Sequence, residues 1–303
     1  MPASLEMHSG PPDEGNAEYE WEGAYLRAHF MTDIGRKRTH NEDAFYFRAP
    51  RDTAVMRDKG MLFCVADGMG GVKGGSLASH LALETMVESY YDQERGGIPE
   101  RLQNALLTAN ERIFQEAGNR PELHGMGTTV TAVLVTGQCA YIAHVGDSRL
   151  YLSRNGSGAF QVTQDHSIVA EQVRSGIISE DEARTHALKN LITRAVGTKE
   201  RVQVDLYAMR LRANDTLLLC SDGLSNVVED RTIAQFLRNA SVKGAGRLLV
   251  GKALENGGPD NITTAVLRVT SAPPHADLQS GAKLIHPPDG GLLTRIRSLF
   301  SSK

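Results

Sequence analysis

Two apolar stretches of this sequence end in the same Asp-Gly pair. Residues 61–68 read Met-Leu-Phe-Cys-Val-Ala-Asp-Gly, and residues 216–223 read Thr-Leu-Leu-Leu-Cys-Ser-Asp-Gly. A short apolar run of this kind indicates a buried strand, and a glycine after the aspartate allows the chain to turn sharply away. The pattern therefore predicts that Asp67 and Asp222 are carboxylates held rigidly at strand ends beside a cleft.

Three more acidic clusters resemble these two in composition. They are Asn41-Glu42-Asp43, Gly146-Asp147-Ser148-Arg149 and Pro259-Asp260-Asn261. One Asp-Gly pair alone indicates a turn. Chance is a poor explanation for all five acidic clusters in one chain. Magnesium and manganese prefer oxygen ligands such as carboxylates and backbone carbonyls. We therefore predict a site for hard cations, provided that the fold brings the clusters together.

The overall composition is that of an ordinary globular protein. The chain has 303 residues, 41% hydrophobic content and a net charge of −3, which suits one large domain or two small ones. Neither sign of charge dominates, so nucleic acid or a membrane surface is not indicated as the main partner. The apolar runs, such as residues 132–135, are far shorter than the roughly 20 residues of a membrane span. We therefore expect a cytoplasmic protein with no transmembrane segment.

Both ends of the chain differ in composition from the rest. Residues 1–23 carry many acids among Pro, Gly and Ser, which predicts a disordered acidic arm and not a signal peptide. Pro and Gly pairs predict a flexible tail over residues 271–303. Within that tail, residues 292–300 fit either a disordered end or a short amphipathic helix that docks on a partner or an anionic membrane surface.

The three cysteines are Cys64, Cys139 and Cys220. Each lies in or at the start of an apolar run, so we expect small buried side chains in a reducing compartment. The sequence has no Cys-x-x-Cys pair, which argues against a zinc site. None of the cysteines is followed six residues later by the arginine that a cysteine-nucleophile phosphatase requires, so that chemistry is excluded.

Hydrophobic periodicity predicts an alternation of strands and helices. Strands are predicted as a pair within 25–47, as three within 127–153, and at 202–206, 216–221 and 262–269, and helices at 76–91, 100–117, 230–239 and 244–255. Residues 160–200 are polar with short helical patches at 167–175 and 179–188, and indicate an excursion from the core. This order of elements favours an α+β layered protein over a βαβ repeat.

Six motifs occur in a fixed order along the chain. They are Arg38-x-x-Asn41-Glu42-Asp43-Ala44, Ala66-Asp67-Gly68-Met69-Gly70-Gly71, Gly127-Thr128-Thr129, Val145-Gly146-Asp147-Ser148-Arg149, Cys220-Ser221-Asp222-Gly223-Leu224 and Gly258-Pro259-Asp260-Asn261-Ile262-Thr263. Over about residues 24–270 the chain resembles a bacterial metal-dependent protein phosphatase of the protein phosphatase 2C type. The resemblance implies a four-layer α-β-β-α sandwich with two central, mainly antiparallel sheets and a flap at about 163–200.

The resemblance also implies a ligand set for two Mn²⁺ or Mg²⁺ ions. Asp67 matches the residue that bridges the two ions, and the Gly68 carbonyl matches a ligand of one of them. Asp222 and Asp260 match ligands of the other ion. Bacterial relatives often hold a third, weaker ion, whose ligands correspond to Asp147 and Asp222.

Three further positions match residues around the ions. Glu42 and Asp43 correspond to acids that hold metal-bound waters or ligate directly. Arg38 corresponds to the arginine that binds phosphate, for which a guanidinium fork is better suited than a lysine. Without the motif, the run Arg36-Lys37-Arg38 is better explained as a solvated basic surface.

The activity implied is metal-dependent hydrolysis of phosphoserine and phosphothreonine in proteins, by a water activated between the two ions, in opposition to Ser/Thr kinases. The substrates implied are therefore phosphorylated proteins. A catalytically silent relative that binds phosphoproteins is the main alternative, and a small-molecule phosphatase is a third. A silent relative is expected to lose metal carboxylates, whereas Asp67, Asp222 and Asp260 are all present.

One position departs from the pattern of many bacterial relatives. They have a histidine, proposed to protonate the leaving oxygen, where this chain has Val72. His40, His124 and His144 are near other motifs, but a histidine inside an apolar strand, like His144, is usually a hydrogen-bonded core residue. The general acid is therefore unassigned, and a metal-bound water is an alternative.

Overall fold

Two β-sheets packed face to face, with helices on both outer faces, make up the protein. The computed structural model describes residues 5–71, 74–154, 158–272 and 274–286. The strands are β1 (Leu5–Gly10), β2 (Ala17–Glu22), β3 (Leu26–Asp33), β4 (Asp43–Pro50), β5 (Met61–Met69), β6 (Gly127–Thr128), β7 (Val130–Thr136), β8 (Cys139–Val145), β9 (Arg149–Ser153), β10 (Ala159–Gln161), β11 (Asp205–Arg210), β12 (Thr216–Cys220), β13 (Ile262–Val269) and β14 (Lys283–Leu284). The helices are α1 (Thr53–Lys59), α2 (Gly74–Asp92), α3 (Ile98–Asn119), α4 (Ile168–Arg174), α5 (Glu180–Thr185), α6 (Asp222–Ser225), α7 (Asp230–Asn239) and α8 (Val242–Glu255).

The two sheets are mainly antiparallel. The eight-stranded sheet has the order β1-β4-β5-β7-β8-β11-β14, with β6 paired to β5 beside this path. The six-stranded sheet has the order β10-β9-β12-β13-β3-β2. The short pair β11–β14 is parallel, and the other strand pairs in the described ranges are antiparallel. The predicted α+β sandwich is confirmed.

Three apolar layers separate the four structural layers. Helices α2 and α3 cover the outer face of the eight-stranded sheet, the two sheets bury a second layer between them, and α7 and α8 cover the six-stranded sheet. Strand β5 shows why its sequence is continuously apolar. Leu62 and Cys64 belong to the layer under the helices, whereas Phe63 and Val65 belong to the layer between the sheets. Because both faces are covered, the run shows no alternation of polar residues.

Most predicted elements are present with shifted ends. The helices predicted at 76–91 and 100–117 extend over Gly74–Asp92 and Ile98–Asn119. The two short helices expected in the polar excursion are α4 and α5, of which α4 buries Val169 and α5 has no buried residue. All three cysteines are buried free thiols, as expected. Within the described residues, none of the helices combines the length and the apolar character needed to cross a bilayer.

The prediction of a disordered acidic arm over residues 1–23 is wrong for residues 5–22, which we call the N-terminal strap. Its first strand, β1, pairs with β4 at the edge of the eight-stranded sheet, and β2 pairs with β3 at the edge of the six-stranded sheet. Tyr19 and Trp21 point into the layer between the sheets, where their rings lie 5.4 Å from Phe47 and 5.9 Å from Phe63, respectively. The strap therefore contributes one strand and part of the core to each sheet.

The acidic composition misled the prediction because the acids of β2 have partners. Glu18 accepts hydrogen bonds from the Arg247 guanidinium at 2.7 and 2.9 Å, and its carboxylate lies 2.8 Å from the His29 ring nitrogen Nε2. Glu20 pairs with Lys243 of the same helix, α8. Apolar and acidic residues alternate along β2, so Trp21 and partly buried Tyr19 face the core while Glu18 and Glu20 bind α8.

The prediction of a flexible tail over 271–303 is also wrong where the structure describes it, up to residue 286. The Gln279 backbone N–H donates to the Tyr141 hydroxyl (2.8 Å), and the Gln279 side-chain oxygen accepts from the Ile98 backbone N–H (2.6 Å) at the start of α3. Strand β14 then adds to the edge of the eight-stranded sheet. The predicted amphipathic segment at 292–300 lies outside the described residues and stays a prediction.

The strap predicts a measurable contribution of Trp21 to stability. Because this side chain is buried against Phe47 and Phe63, the substitution Trp21→Ala is expected to lower the free energy of unfolding by about 3–5 kcal/mol. Urea denaturation of the two proteins measures the difference. The control is Glu22→Ala on the exposed face of the same strand, for which we expect a change within about 0.5 kcal/mol. Equal stability of W21A and the wild type would show that residues 5–22 are not part of the fold.

Candidate active site

Acidic side chains from both sheets meet at one end of the sandwich. Asp43 begins β4 and lies directly opposite Asp67 of β5 in the strand register. Asp222 follows β12 and Asp260 precedes β13, and Asp147 lies between β8 and β9. Asp222 is close enough to Asp67 for the two carboxylates to interact electrostatically. The structure thus brings together acids that are separated by up to 217 residues along the sequence.

The first evidence for a common site is electrostatic. Burial raises the pKa of Asp43 to about 7, hydrogen bonds from Ser221 and Thr263 act in the opposite direction, and the charges of Asp222 and Asp260 raise it further. Burial likewise raises the pKa of Asp67 well above its usual range, with contributions from the carboxylates of Asp43 and Asp222. Each ionised carboxylate therefore makes it harder for its neighbours to carry a charge.

The other acids of the cluster follow the same pattern. Burial raises the pKa of Asp147, and the Asp222 charge adds to this effect. Burial also raises the pKa of Asp222, with the Asp260 charge as the next contribution. For Glu42, burial raises the pKa while the Arg38 guanidinium opposes it. Several carboxylates within reach of one another in a poorly solvated cleft need protons or cations to relieve their repulsion.

Three carboxylate oxygens in this cluster have no hydrogen-bond partner. They are Glu42 Oε1, Asp43 Oδ1 and Asp222 Oδ1, and all three are buried. Buried acceptors are normally satisfied, so an unpaired set of this kind fits a cation that prefers oxygen ligands, such as Mn²⁺ or Mg²⁺. In the described part of the chain, no three acidic, imidazole or thiol side chains already stand in a ligating arrangement. The carboxylate of Asp260 is paired with the guanidinium of Arg38.

The glycines of the two Asp-Gly pairs have a different role from the sharp turn that the sequence predicted. Strand β5 continues through Gly68 to Met69, and Gly223 lies within the short helix α6. A Cβ atom at Gly68 would lie 2.0 Å from the Gly75 carbonyl oxygen, and one at Gly223 would lie 1.9 Å from the Asn261 carbonyl oxygen. Both positions need glycine because another backbone segment packs against them.

Polar residues inside the motifs hold the acids in place, although sequence analysis assigned no role to them. Ser221 Oγ donates to Asp43 Oδ2 (2.7 Å) and accepts from the Thr263 backbone N–H (3.0 Å). Thr129 Oγ1 accepts from the Asp67 backbone N–H (2.9 Å). Their only sequence signal is their position within the six motifs, because hydroxyl residues beside strands are common.

Asn261 connects three segments of the site. Its side-chain oxygen accepts from the Glu42 backbone N–H (2.8 Å), and its amide nitrogen donates to the carbonyl oxygens of Ile34 and His40, both at 2.9 Å. Since Asn261 directly follows Asp260, these bonds tie the Asp260 backbone to the segment that carries Arg38, Glu42 and their neighbours.

Arg38 pairs with acids of the cluster, although its side chain is half exposed to solvent. Its Nε lies 2.8 Å from Asp260 Oδ1 and its Nη2 donates to Asp260 Oδ2 at 2.9 Å. A longer contact of 3.6 Å joins Nη1 to Glu42 Oε2. The side chain is 47% exposed, so the guanidinium is at the mouth of the acidic cluster and open to solvent.

The three histidines considered from the sequence have different environments, and His40 alone of them acts electrostatically on an acid of the cluster, where it opposes the rise in the pKa of Glu42. His144 is fully buried, with Nδ1 2.9 Å from Thr131 Oγ1 and Nε2 3.1 Å from the Gln164 carbonyl oxygen. Burial lowers the pKa of His144 to about 4, so it is a neutral core residue, as its apolar strand predicted. His124 is exposed, and the His40 ring contacts Thr39. Val72 lies outside the described residues.

An α-β-β-α sandwich with a buried carboxylate cluster at one end and an arginine at its mouth defines a metal-dependent phosphatase. The comparison with protein families agrees with this class: the protein phosphatase 2C family matches residues 28–262. The chain belongs to the protein phosphatase 2C family.

Similar proteins come from several bacteria. The serine/threonine phosphatase stp of Listeria innocua is 36% identical over 247 residues, which cover 80% of this chain and 95% of that protein. The structure of the serine/threonine phosphatase Stp1 from Staphylococcus aureus has a TM-score of 0.74 and 34% identity, and the match covers 82% of this chain and 97% of that one. The catalytic domain of the phosphatase PstP in complex with two manganese ions has a TM-score of 0.71 and 36% identity, covering 82% and 99%.

The raised pKa of Asp43 predicts a pH-dependent cost to folding when no cation is added. Its pKa is about 7 in the folded chain and 3.8 is its ordinary value, so the folded chain holds more protons between pH 4 and pH 7. The contribution of Asp43 to stability therefore falls as the pH rises through this window. In EDTA, we expect the free energy of unfolding of Asp43→Asn, relative to that of the wild type, to rise by about 1.4 kcal/mol or more from pH 5 to pH 8. This amount corresponds to a shift of one pKa unit.

Urea denaturation of both proteins at the two pH values measures this gain. The control is Asp181→Asn, which removes an exposed acid on α5 and should show the same difference from the wild type at both pH values. A stability difference between D43N and the wild type that does not depend on pH would contradict the prediction.

Proposed function

We propose that this chain hydrolyses phosphoserine and phosphothreonine in proteins, with two Mn²⁺ or Mg²⁺ ions held by its acidic cluster. The observation that carries the proposal is the set of three buried, unpaired carboxylate oxygens beside Asp67. The similarity to bacterial serine/threonine phosphatases and to a manganese-bound catalytic domain supports it. When bound, the ions supply an activated water and neutralise phosphoryl oxygens during in-line attack.

In this proposal Asp67 would be a ligand of both ions, and its buried carboxylate interacts with those of Asp43, Asp222, Asp147 and Asp260. The Gly68 carbonyl oxygen would be a further ligand of one ion. Asp222 and Asp260 would be further ligands of the other. Asp43 and Glu42 have the other unpaired oxygens and orient waters or ligate directly. Asp147, which is buried and interacts with Asp222, extends the set toward a third cation.

Arg38 is proposed to bind the phosphate of the substrate. Its paired N–H groups hold the Asp260 carboxylate, which is an anionic bidentate acceptor like two phosphoryl oxygens. Because it is half exposed at the mouth of the cluster, its guanidinium is accessible to a phosphorylated side chain. If a phosphate replaced Asp260 as the partner of the Arg38 guanidinium, the Asp260 carboxylate would be free to rotate toward a cation.

The cellular substrates are proposed to be cytoplasmic proteins that bacterial Ser/Thr kinases phosphorylate. The alternative of a silent phosphoprotein-binding relative has less support, because every acid of the predicted ligand set is present and lies in one cluster. Phosphoproteomes of cells with and without the protein would identify substrates.

Hydrolysis of a phosphothreonine peptide tests the proposed chemistry. With Mn²⁺ present we expect turnover, and with excess chelator we expect none. Asp222→Asn removes one carboxylate charge from the cluster and is expected to lower kcat by at least about 100-fold. Turnover that is unaffected by chelator would refute the metal-dependent mechanism. Binding of the phosphopeptide without turnover at any Mn²⁺ concentration would support the silent relative.

A matched pair of substitutions tests the role of Arg38. Arg38→Lys keeps the charge but loses the guanidinium fork, so kcat/KM is expected to fall about 10-fold or more. Arg36→Lys is the control, since Arg36 belongs to the same basic run and its side chain is exposed. We expect less than about a twofold change for R36K, and equal effects of the two substitutions would assign Arg38 to the solvated run.

A further inference from the structure

The N-terminal strap precedes residue 28, where the family match begins, and it reaches the active site. Strand β1 ends with Gly10 opposite Phe45, two residues from Asp43, and β2 begins with Ala17 opposite Thr32. The connection between them, residues 11–16, therefore crosses from one sheet to the other at the end where the acids meet. We call it the strap loop.

The strap loop holds one end of the segment that carries Arg38. The Asn41 backbone N–H donates to the Glu14 carbonyl oxygen, and the Asn41 side-chain amide donates to the Gly15 carbonyl oxygen, both at 2.9 Å. Asn41 is fully buried and directly precedes Glu42. The Glu14 carboxylate is close enough to Glu42 to affect it electrostatically.

The strap loop also holds the other end of this segment. The Asn16 side-chain oxygen accepts from the Ile34 backbone N–H (2.8 Å), and its amide donates to Asp33 Oδ2 (2.9 Å). Residues 34–41, which we call the arginine loop, are therefore held at both ends by three consecutive residues of the strap. Arg38 lies in the middle of the arginine loop.

On its other side the arginine loop contacts the segment around Asp260. The Arg36 backbone N–H donates to the Gly258 carbonyl oxygen (2.7 Å), and Asn261 donates to the Ile34 and His40 carbonyl oxygens. The loop has no regular secondary structure, and the side chains of residues 36–39 are exposed. Hydrogen bonds from the segment around Asp260 and from the strap therefore help to fix its position, together with bonds to Asp33 and Thr32 of β3.

The strap itself is firmly attached to the rest of the domain. The Glu18 and Glu20 carboxylates pair with Arg247 and Lys243 of α8, as described above. At the start of the strap loop, His80 Nε2 of α2 lies 2.9 Å from the Pro11 carbonyl oxygen. A support that is fixed to helices on both outer faces of the sandwich can hold the arginine loop in one position.

We propose that the strap positions Arg38 for phosphate recognition, with Asn16 as a positioning residue that acts through the arginine loop. This inference rests on the proposed role of Arg38 in binding the substrate phosphate. It assigns a function in catalysis to a segment that lies outside the part of the chain matched by the family. A guanidinium fork binds a phosphate well only when its direction is fixed, so looser support should weaken phosphate binding more than the chemical step.

The test is a double-mutant cycle between Asn16→Ala and Arg38→Ala. Loss of one hydrogen bond to the arginine loop is expected to raise KM for a phosphothreonine peptide about fivefold, with kcat changed by less than about twofold. Inhibition by inorganic phosphate should weaken by the same factor. In the R38A background N16A should have no further effect on kcat/KM, because the group that it positions is gone.

Glu20→Gln is the matched control. It breaks an ion pair on the same strap, at Lys243 and away from the arginine loop, so KM should not change. Hydrogen exchange gives a readout that does not depend on activity: the amide of Ile34 should exchange faster in N16A than in the wild type, and in E20Q it should not.

Two results would overturn the inference. One is an N16A protein with an unchanged KM. The other is a decrease in kcat/KM caused by N16A that is as large in the R38A protein as in the wild type, which would show a general loss of structure. Asn16 is exposed, so N16A is expected to fold. If the wild type does not hydrolyse the phosphopeptide, the proposed function fails, whereas the exchange of the Ile34 amide still decides whether the strap holds the arginine loop.

Discussion

Repulsion between Asp43 and Asp67, which face each other across adjacent strands, is the constraint on which the site depends. Both carboxylates are in a poorly solvated cleft, and Asp147, Asp222 and Asp260 add further negative charge around them. The fold tolerates this because the three apolar layers supply enough stability to hold the acids close together. The repulsion that is unfavourable for folding is what makes the cluster attractive to cations, since a bound cation removes the unfavourable term.

The polar residues around the acids serve this constraint. Ser221, Thr129 and Asn261 each use hydrogen bonds to fix the backbone or one oxygen of an acid, and leave other carboxylate oxygens without a protein partner. Arg38 neutralises part of the charge from the mouth of the cluster. Hydrogen bonds from residues that are not themselves predicted ligands thus hold the acids in place, and a list of ligands alone would omit these residues.

Sequence patterns predicted the architecture well where a residue's environment follows from its neighbours in the chain. The apolar run 61–66 could be recognised as a buried strand. The six ordered motifs, through the family that they resemble, were enough to predict the sandwich and a common site for the acids. The patterns failed at Gly68, where the need for glycine comes from Gly75, which packs against it through the fold. Close approach between distant segments leaves no local signal in a sequence.

The two ends of the chain show the same limit. Residues 5–22 have the acidic composition of a disordered segment, yet the cations that pair with Glu18 and Glu20 lie more than 220 residues away on α8. Residues 274–286 are rich in small and polar residues, yet Gln279 binds α3 and β8. The composition of a segment does not show which residues elsewhere in the chain will contact it.

The pairing of β3 with β13 has a consequence for the order in which the enzyme becomes complete during synthesis. Leu26–Asp33 pairs with Ile262–Val269, so the neighbour of an early strand is synthesised more than 220 residues later. Asp260 is made at the same stage, because only Asn261 separates it from β13. A ribosome-bound chain shorter than about 260 residues therefore lacks both a central strand and an acid of the site. Completion of the six-stranded sheet and completion of the carboxylate cluster therefore depend on the same segment of the chain.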